Sequence, residues 1–311
     1  MGFKVVHLTK PCKIKIKNEN LVLFFYEDEQ EVNVTIKDID FILFDNTQFS
    51  ITGKSLQLLA KNNIAALFID DEFHPSSVLA PYHSHSTMNE IANAQIQIDQ
   101  DFKDIMWQNI IKSKILNQSE VLSFLNKDGH VELKKLHDSV QLYDKNADEA
   151  QAARLYWREL FNMYTFRREQ GSEDIINVML NYTYAILRAS IARYVSASGL
   201  LPIFGIWHKN KYNSFNLADD LIEPFRPFCD LYVKLLLNTK YVGANNLAVN
   251  IKRDLVNILL LECVDINGGK SNLSKAMELF VREYKKCVIA KNPDNIFFPS
   301  INLKYMQDEL L

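Results

Sequence analysis

Polar and apolar residues alternate in two early segments, "KIKIK" (13–17) and "EVNVTIKD" (31–38). That is the period of a strand with one buried face. Around them lie short unbroken apolar runs: "LVLFFY" (21–26), "DFILFD" (40–45) and "IAALFI" (64–69). They are rich in branched and aromatic residues and bounded by acids and asparagines, which also predicts strands. Only "GKSLQLLAKN" (53–62) has helical spacing in this region. The pattern predicts an N-terminal β-sandwich-like domain over residues 1–75.

The stretch "DDEFHPSSVLAPYHSHST" carries two prolines and many small polar residues and reads as loop, giving a linker over 76–88. Helical periodicity takes over at once. Thr87 with Glu90 has the spacing of a capping box, and apolar residues recur from Ile91 to Leu116 at helical intervals. Further helices are expected over 146–168, 174–198 (with Gly199 as a left-handed cap), 225–239, 246–263 and 273–290. No convincing strand follows residue 89. The expected class is therefore α+β in two blocks, with a larger all-α domain over 89–311.

Composition refines this little. At 311 residues the chain can bury a large core, and 48% hydrophobic against 23% charged residues is ordinary for a globular protein. No uncharged apolar run reaches the roughly 18 residues of a membrane span, and the start lacks a signal-peptide core. Four scattered cysteines, Cys12, Cys229, Cys263 and Cys287, form no C-x-x-C pair. They argue against a zinc ribbon and for free thiols in a reducing cytoplasm. With 35 basic against 38 acidic residues, the net charge of -3 announces no nucleic-acid binder. Any positive field must be local, at Lys13, Lys15 and Lys17, at Arg167 and Arg168, or at Lys285 and Lys286.

Candidate chemistry concentrates in "GIWHKNKYNSFNLADDLIEPFRPFCD" (205–230). His208 precedes Asp219, Asp220 and Glu223. Carboxylates suit hard cations, and an imidazole adds a ligand that manganese accepts readily. Asp220 and Glu223, three apart, project to one side of a helical turn. Pro224 and Pro227 place them at a helix start or the turn entering it. The plainer reading is that these acids cap a helix and His208 is a loop residue. Glu149, opening the Ala-rich "EAQAARLYW", equally suits a helix N-terminus. The spacing of these residues decides neither question.

At this point the chain resembles a known family. "EAQAARLYW", "LNYTYAILRASIARYVSASGLLPIFGIWH" and "NSFNLADDLIEPFRPFCD" are similar, in order and separation, to the signature blocks of the CRISPR-associated integrases, the first Cas adaptation protein family. "WQNIIKSKILNQ" (107–118) resembles that family's helical segment, with Lys114 and Gln118 at its Lys and Gln. "LADDLIEPFRP" resembles members from type II systems. The resemblance covers essentially the whole chain and implies an endonuclease and integrase that joins a DNA 3′-hydroxyl to the array by transesterification. It implies Mg2+ or Mn2+ as cofactor, with Glu149, His208 and Glu223 as metal ligands and Asp220 as an auxiliary ligand or a residue orienting His208. Arg154, Lys209 and Arg226 are candidate phosphate contacts, although Arg226 can equally pair with Asp220 or Glu223. The implied partners are double-stranded DNA (protospacer and CRISPR repeat), the small second Cas adaptation protein, and a second copy of the chain in a bridged homodimer. One departure is Ala150 after the motif glutamate, where the family often has Gly; alanine favours the helix.

Two other functions stay open: a catalytically silent DNA-binding scaffold of the same fold, and a metal-dependent nuclease acting on branched DNA in repair. His83 and His85 in "HSHS" lack the Cys or acid partners of a zinc site. Trp207 is expected in the core, Tyr182, Tyr184, Leu187 and Ile191 are expected to pack a helix, and Asp219 is expected to be a bystander.

Overall fold

The computed structural model describes residues 4–69, 75–79, 87–144, 146–161, 166–169 and 171–302. The first strands are β1 (Lys4–Leu8), β2 (Cys12–Lys17), β3 (Asn20–Phe25), β4 (Glu31–Thr35), β5 (Ile39–Phe44) and β6 (Phe49–Ile51). Helix α1 (Gly53–Lys61) follows, then β7 (Ala65–Ile69) and β8 (Pro75–Leu79). They build two four-stranded sheets, β4-β3-β2-β6 and β1-β5-β7-β8. In the second sheet β1, β5 and β7 are parallel and β8 is antiparallel to β7.

The unbroken apolar run of β5 has a direct cause, for every one of its six residues is buried. Ile42 and Phe44 point into the core between the sheets with Leu8, Ile14 and Leu59. Phe41 and Leu43 point the other way, into the core shared with the helices. A strand covered on both faces needs no polar alternation. The sheet containing β5 is thus a middle layer between the β4-β3-β2-β6 sheet and the helical region.

Those helices are α2 (Met88–Gln97), α3 (Gln100–Phe124), α4 (His130–Ser139), α5 (Asp148–Phe161) and α6 (Ile175–Ala197), then α7 (Asn216–Leu221), α8 (Arg226–Asn238) and α9 (Val249–Val256). The chain then forms β9 (Val264–Ile266), β10 (Gly269–Ser271), α10 (Leu273–Ala290) and β11 (Ser300–Ile301). Asp99 and Asp174 cap α3 and α6, accepting from Phe102 N and Asn177 N at 2.8 and 3.0 Å. Gly199 takes the expected left-handed conformation after α6, at φ 86°.

Several expectations need correction. Strands β1 and β6 were not foreseen, and β8 occupies part of the expected linker; His83 and His85 lie outside the described residues. Helix α2 starts as predicted, but the Thr87 side chain makes no capping bond to it. Helix α5 is described over Asp148–Phe161, and residues 166–169 are not helical. The C-terminal region is mostly rather than wholly helical, because β10-β9-β11 form a small sheet. Its hairpin turns on Asn267 and Gly268, both at positive φ (52° and 71°), the two-residue geometry that matches strand twist.

Buried polar contacts join the β layer to the helices. Arg193 of α6 pairs with Asp40 of β5 at 3.0 Å, and Ser274 of α10 donates to Asp40 at 2.6 Å. Lys252 of α9 reaches Asp45 at 2.8 Å, and His7 of β1 meets the same carboxylate at 3.0 Å. Removing one member of such a pair strands a buried charge, at a cost of about 3–5 kcal/mol.

Candidate active site

The loop between α6 and α7 carries His208, and three anchors fix it. Gln95 of α2 donates to Leu201 O and Phe204 O at 3.0 and 3.3 Å and accepts from Leu201 N at 2.8 Å. Asn216 donates to Ile203 O and Asn210 O at 3.3 and 3.0 Å. Asp220, fully buried at the end of α7, accepts from the backbone N–H groups of Ile206, Trp207 and His208 at 2.5, 3.1 and 3.1 Å. Gly205 is required here by space: a Cβ would stand 2.2 Å from His208 O and 2.8 Å from Asp220 Oδ2.

The same carboxylate receives His208 Nδ1–H at 2.6 Å. This bond is the main reason the imidazole's pKa is raised, more than offsetting partial burial. It fixes the ring and leaves Nε2 as the nitrogen not engaged by Asp220. Trp107 of α3 meets the imidazole edge-to-face at 5.9 Å and stacks parallel on Trp207 at 5.5 Å. Trp207 is 43% exposed, so its expected core placement is wrong: Trp107 takes the interior and Trp207 lies over it.

Pro224 ends α7 and makes the next turn, Glu223–Phe225, a 3-10 helix before α8 begins at Arg226. Asn117 of α3 holds that turn by donating to Pro224 O at 2.9 Å. Three residues earlier on α3, Lys114 Nζ stands 2.7 Å from Glu223 Oε2 and 2.7 Å from Glu149 Oε1. Glu149 comes from the first turn of α5. On its other oxygen Glu223 accepts from Arg226 Nε at 2.7 Å. Burial pushes the Glu223 carboxyl up, but Arg226 and Lys114 outweigh it and hold it down at about 2. Burial likewise disfavours the Lys114 charge, yet Glu223 and Glu149 keep its pKa above the ordinary value, so it is an ammonium.

Lys114, His208, Glu223 and Arg226 open onto one groove of about 920 Å3, whose lining also includes Arg168, Tyr184, Arg188 and Asp230 and, from β7 and β8, Leu67, Ser77 and Val78. Tyr184 donates to the buried Asp230 and carries the guanidinium groups of Arg226 and Arg168 over its ring at 4.5 and 5.1 Å. It does pack, as expected, and it also shapes the groove. Burial lifts the Asp230 carboxyl to about 7 despite its tyrosine and arginine neighbours. Asp219 is no bystander, since it pairs with Arg188 at 2.5 Å and accepts from Asn213 at 2.6 Å.

The predicted residues thus fall into two couples, each with one member, Glu223 or His208, lining the groove. Glu149 and Glu223 meet across Lys114; His208 and Asp220 meet directly. Arg226 pairs with Glu223, while Arg154 and Lys209 are exposed outside the groove lining. Among the described residues no three of His, Cys, Asp and Glu already form a closed ligand cluster. Sequence reasoning missed the bridging role of Lys114 and the groove position of Arg188. The signal for Arg188 was present as a charge inside an otherwise apolar helix, "YAILRASIARYV".

Comparison with known proteins bears on these couples. The family model described as CRISPR associated protein Cas1 matches residues 6–257. The CRISPR-associated endonuclease Cas1 of Neisseria meningitidis serogroup C is 32% identical over 92% of this chain and 93% of its own length. A casposase bound to integration product superposes with a TM-score of 0.78 at 24% identity, over 93% of this chain and 91% of that one. A chain of a Cas6-RT-Cas1–Cas2 complex gives a TM-score of 0.73 at 18% identity, over 94% of this chain and 36% of its own.

Proposed function

Because this chain belongs to the CRISPR-associated Cas1 family, the endonuclease and integrase of spacer acquisition, we propose that it inserts short DNA segments by divalent-metal-dependent transesterification. The observation that most supports a metal centre is the convergence of Glu149 and Glu223 on one cation position, where the Lys114 ammonium sits 2.7 Å from each. The donor set fits: two carboxylates and an imidazole suit Mg2+ or Mn2+. Glu223 Oε2 is buried, with the Lys114 ammonium 2.7 Å away as its counter-charge. We assign Glu149 and Glu223 as ligands and His208 as the third, through Nε2.

When bound, such an ion neutralises charge at the reacting phosphate. The chain's own residues prepare the ground for it. Asp220 is a positioning residue that holds the imidazole by Nδ1–H and fixes the 206–208 backbone. Arg226 clamps Glu223 and keeps it ionised. Arg188, on the groove wall, offers a guanidinium suited to phosphate oxygens. Lys209 and Arg154 extend the phosphate contacts beyond the groove. In the reaction itself a 3′-hydroxyl oxygen bonds to phosphorus as the bond to the leaving oxygen breaks. One phosphodiester is exchanged for another, and no protein nucleophile is consumed.

The substrates are duplex DNA, both the incoming segment and the repeat. The partners are the small Cas2 protein and a second copy of this chain. Among the described residues no helix is long and apolar enough to cross a membrane. The proposed setting is the cytoplasm, where four buried free thiols stay reduced. The test is a strand-transfer assay with purified Cas2, labelled duplex and Mg2+. Glu149→Gln, Glu223→Gln and His208→Ala are each expected to abolish joining. Full joining by any one of them overturns its assignment, and a wild-type protein that binds DNA but never joins it supports the scaffold function instead.

A further inference from the structure

The ammonium of Lys114 is more than a neighbour of the two glutamates. Its Nζ is 2.7 Å from an oxygen of each, and its side chain is 13% exposed, so it fills the space between them from inside the protein. Toward Glu149 it makes an aligned hydrogen bond at 2.7 Å. Toward Glu223 it stands equally close, 2.7 Å from Oε2 of a side chain only 8% exposed. Arg226 already occupies the other Glu223 oxygen. Glu149, Glu223, Lys114 and Arg226 therefore sum to zero charge with no metal present.

We infer that Lys114 is a built-in counter-cation, which keeps the two carboxylates assembled without metal and must leave its position when a divalent ion binds. This inference rests on the assignment of Glu149 and Glu223 as ligands. Adding two positive charges beside a retained ammonium would place like charges together in a partly buried site. Displacement removes that conflict and delivers Lys114 to the groove it already lines, beside Arg188 and Arg226. A DNA phosphate there supplies the negative charge the freed ammonium needs. Metal and DNA thus bind with positive coupling, and Lys114 is the residue through which each favours the other. The protein consequently holds metal weakly until substrate arrives.

The test is Mn2+ affinity, measured by electron paramagnetic resonance and calorimetry on the full chain, with and without a short DNA duplex. Lys114→Met removes the competitor and is expected to bind Mn2+ at least tenfold more tightly without DNA, and to lose most of the strengthening that DNA gives the wild type. A merely structural role cannot tighten metal binding. Lys114→Arg keeps the charge and is expected to bind Mn2+ no more tightly than wild type. Should Lys114→Met fail to fold, Lys114→Gln carries the same expectation. Equal or weaker Mn2+ binding by the uncharged variants overturns the inference, as does an equal gain in Lys114→Arg. If wild type binds no Mn2+, or binds it unchanged after Glu149→Gln and Glu223→Gln, the metal assignment falls first.

Discussion

A single methyl group at Gly205 is expected to disable the His208 loop. In Gly205→Ala the new Cβ would sit 2.2 Å from His208 O, 2.8 Å from Asp220 Oδ2 and 3.0 Å from Asn216 Cβ. A carbon and a carbonyl oxygen approach no closer than about 3.3 Å without strain, so the backbone must open by about 1 Å. The loop cannot open there without drawing N–H groups away from Asp220, which accepts three of them. Hydrogen bonds to a charged group contribute about 1.5–3 kcal/mol each. Loss of one or two therefore costs about 2–5 kcal/mol, a large share of a typical stability of about 5–15 kcal/mol. The imidazole moves with the loop, and a displacement of about 1 Å can cost about 100-fold in rate. Urea denaturation followed by tryptophan fluorescence reads the first effect, and strand transfer with Cas2 reads the second. Gly53→Ala is the control, since a Cβ there meets nothing within 4 Å. A Gly205→Ala protein with wild-type midpoint and wild-type joining would refute the account of the loop.

Two further predictions concern charge. Arg226→Ala should destabilise the protein by about 3 kcal/mol by removing a partner of the buried Glu223. Glu223 titrates at about 2 in the native protein against an ordinary value of 4.5. Its contribution is therefore present above about 4.5 and lost as pH falls toward 2, and acid unfolding of Arg226→Ala should begin at higher pH; an unchanged acid midpoint would contradict this. For Asp230 the sign reverses: with a native value of about 7 against 3.8, its contribution is present below about 4 and lost as pH rises through 7. Asp230→Asn should flatten that decline, about 3 kcal/mol between the two conditions, in urea midpoints measured at pH 4.5 and 7.5; a slope equal to wild type would count against burial as the cause.

Strands β2 to β5, strand β7 and the long helices were legible because each carries its own period or its own unbroken apolar run, whereas β1, β6 and β8 were missed. The hairpin at 264–271 carried a signal too, since "INGG" is a strong two-residue turn, but its strands of three residues each are too short to show a period of their own. Strand β11, two residues long, has no local signature, and its pairing with β9 depends wholly on the chain's return. In the site, the residue types at His208 and Glu223 and the break at Pro224 could be read directly. Asp220 as the partner of His208 was one of the two roles that the family resemblance offered it. The pairing of Glu223 with Lys114 was not read, because nothing along the chain says what stands opposite that acid. The Glu149–Lys114–Glu223 bridge requires α3, α5 and the 223–225 turn to meet, which no spacing along the chain encodes.

The groove lining has two sources. Its charged residues come from helices and the segments that join them, while Leu67, Ser77 and Val78 come from β7 and β8. Because β8 is an outer strand of its sheet, its groove-facing positions are open to change at little cost to the core. Relatives could diverge in the shape of nucleic acid they admit by altering those strand positions alone, leaving the charged residues untouched through evolutionary time.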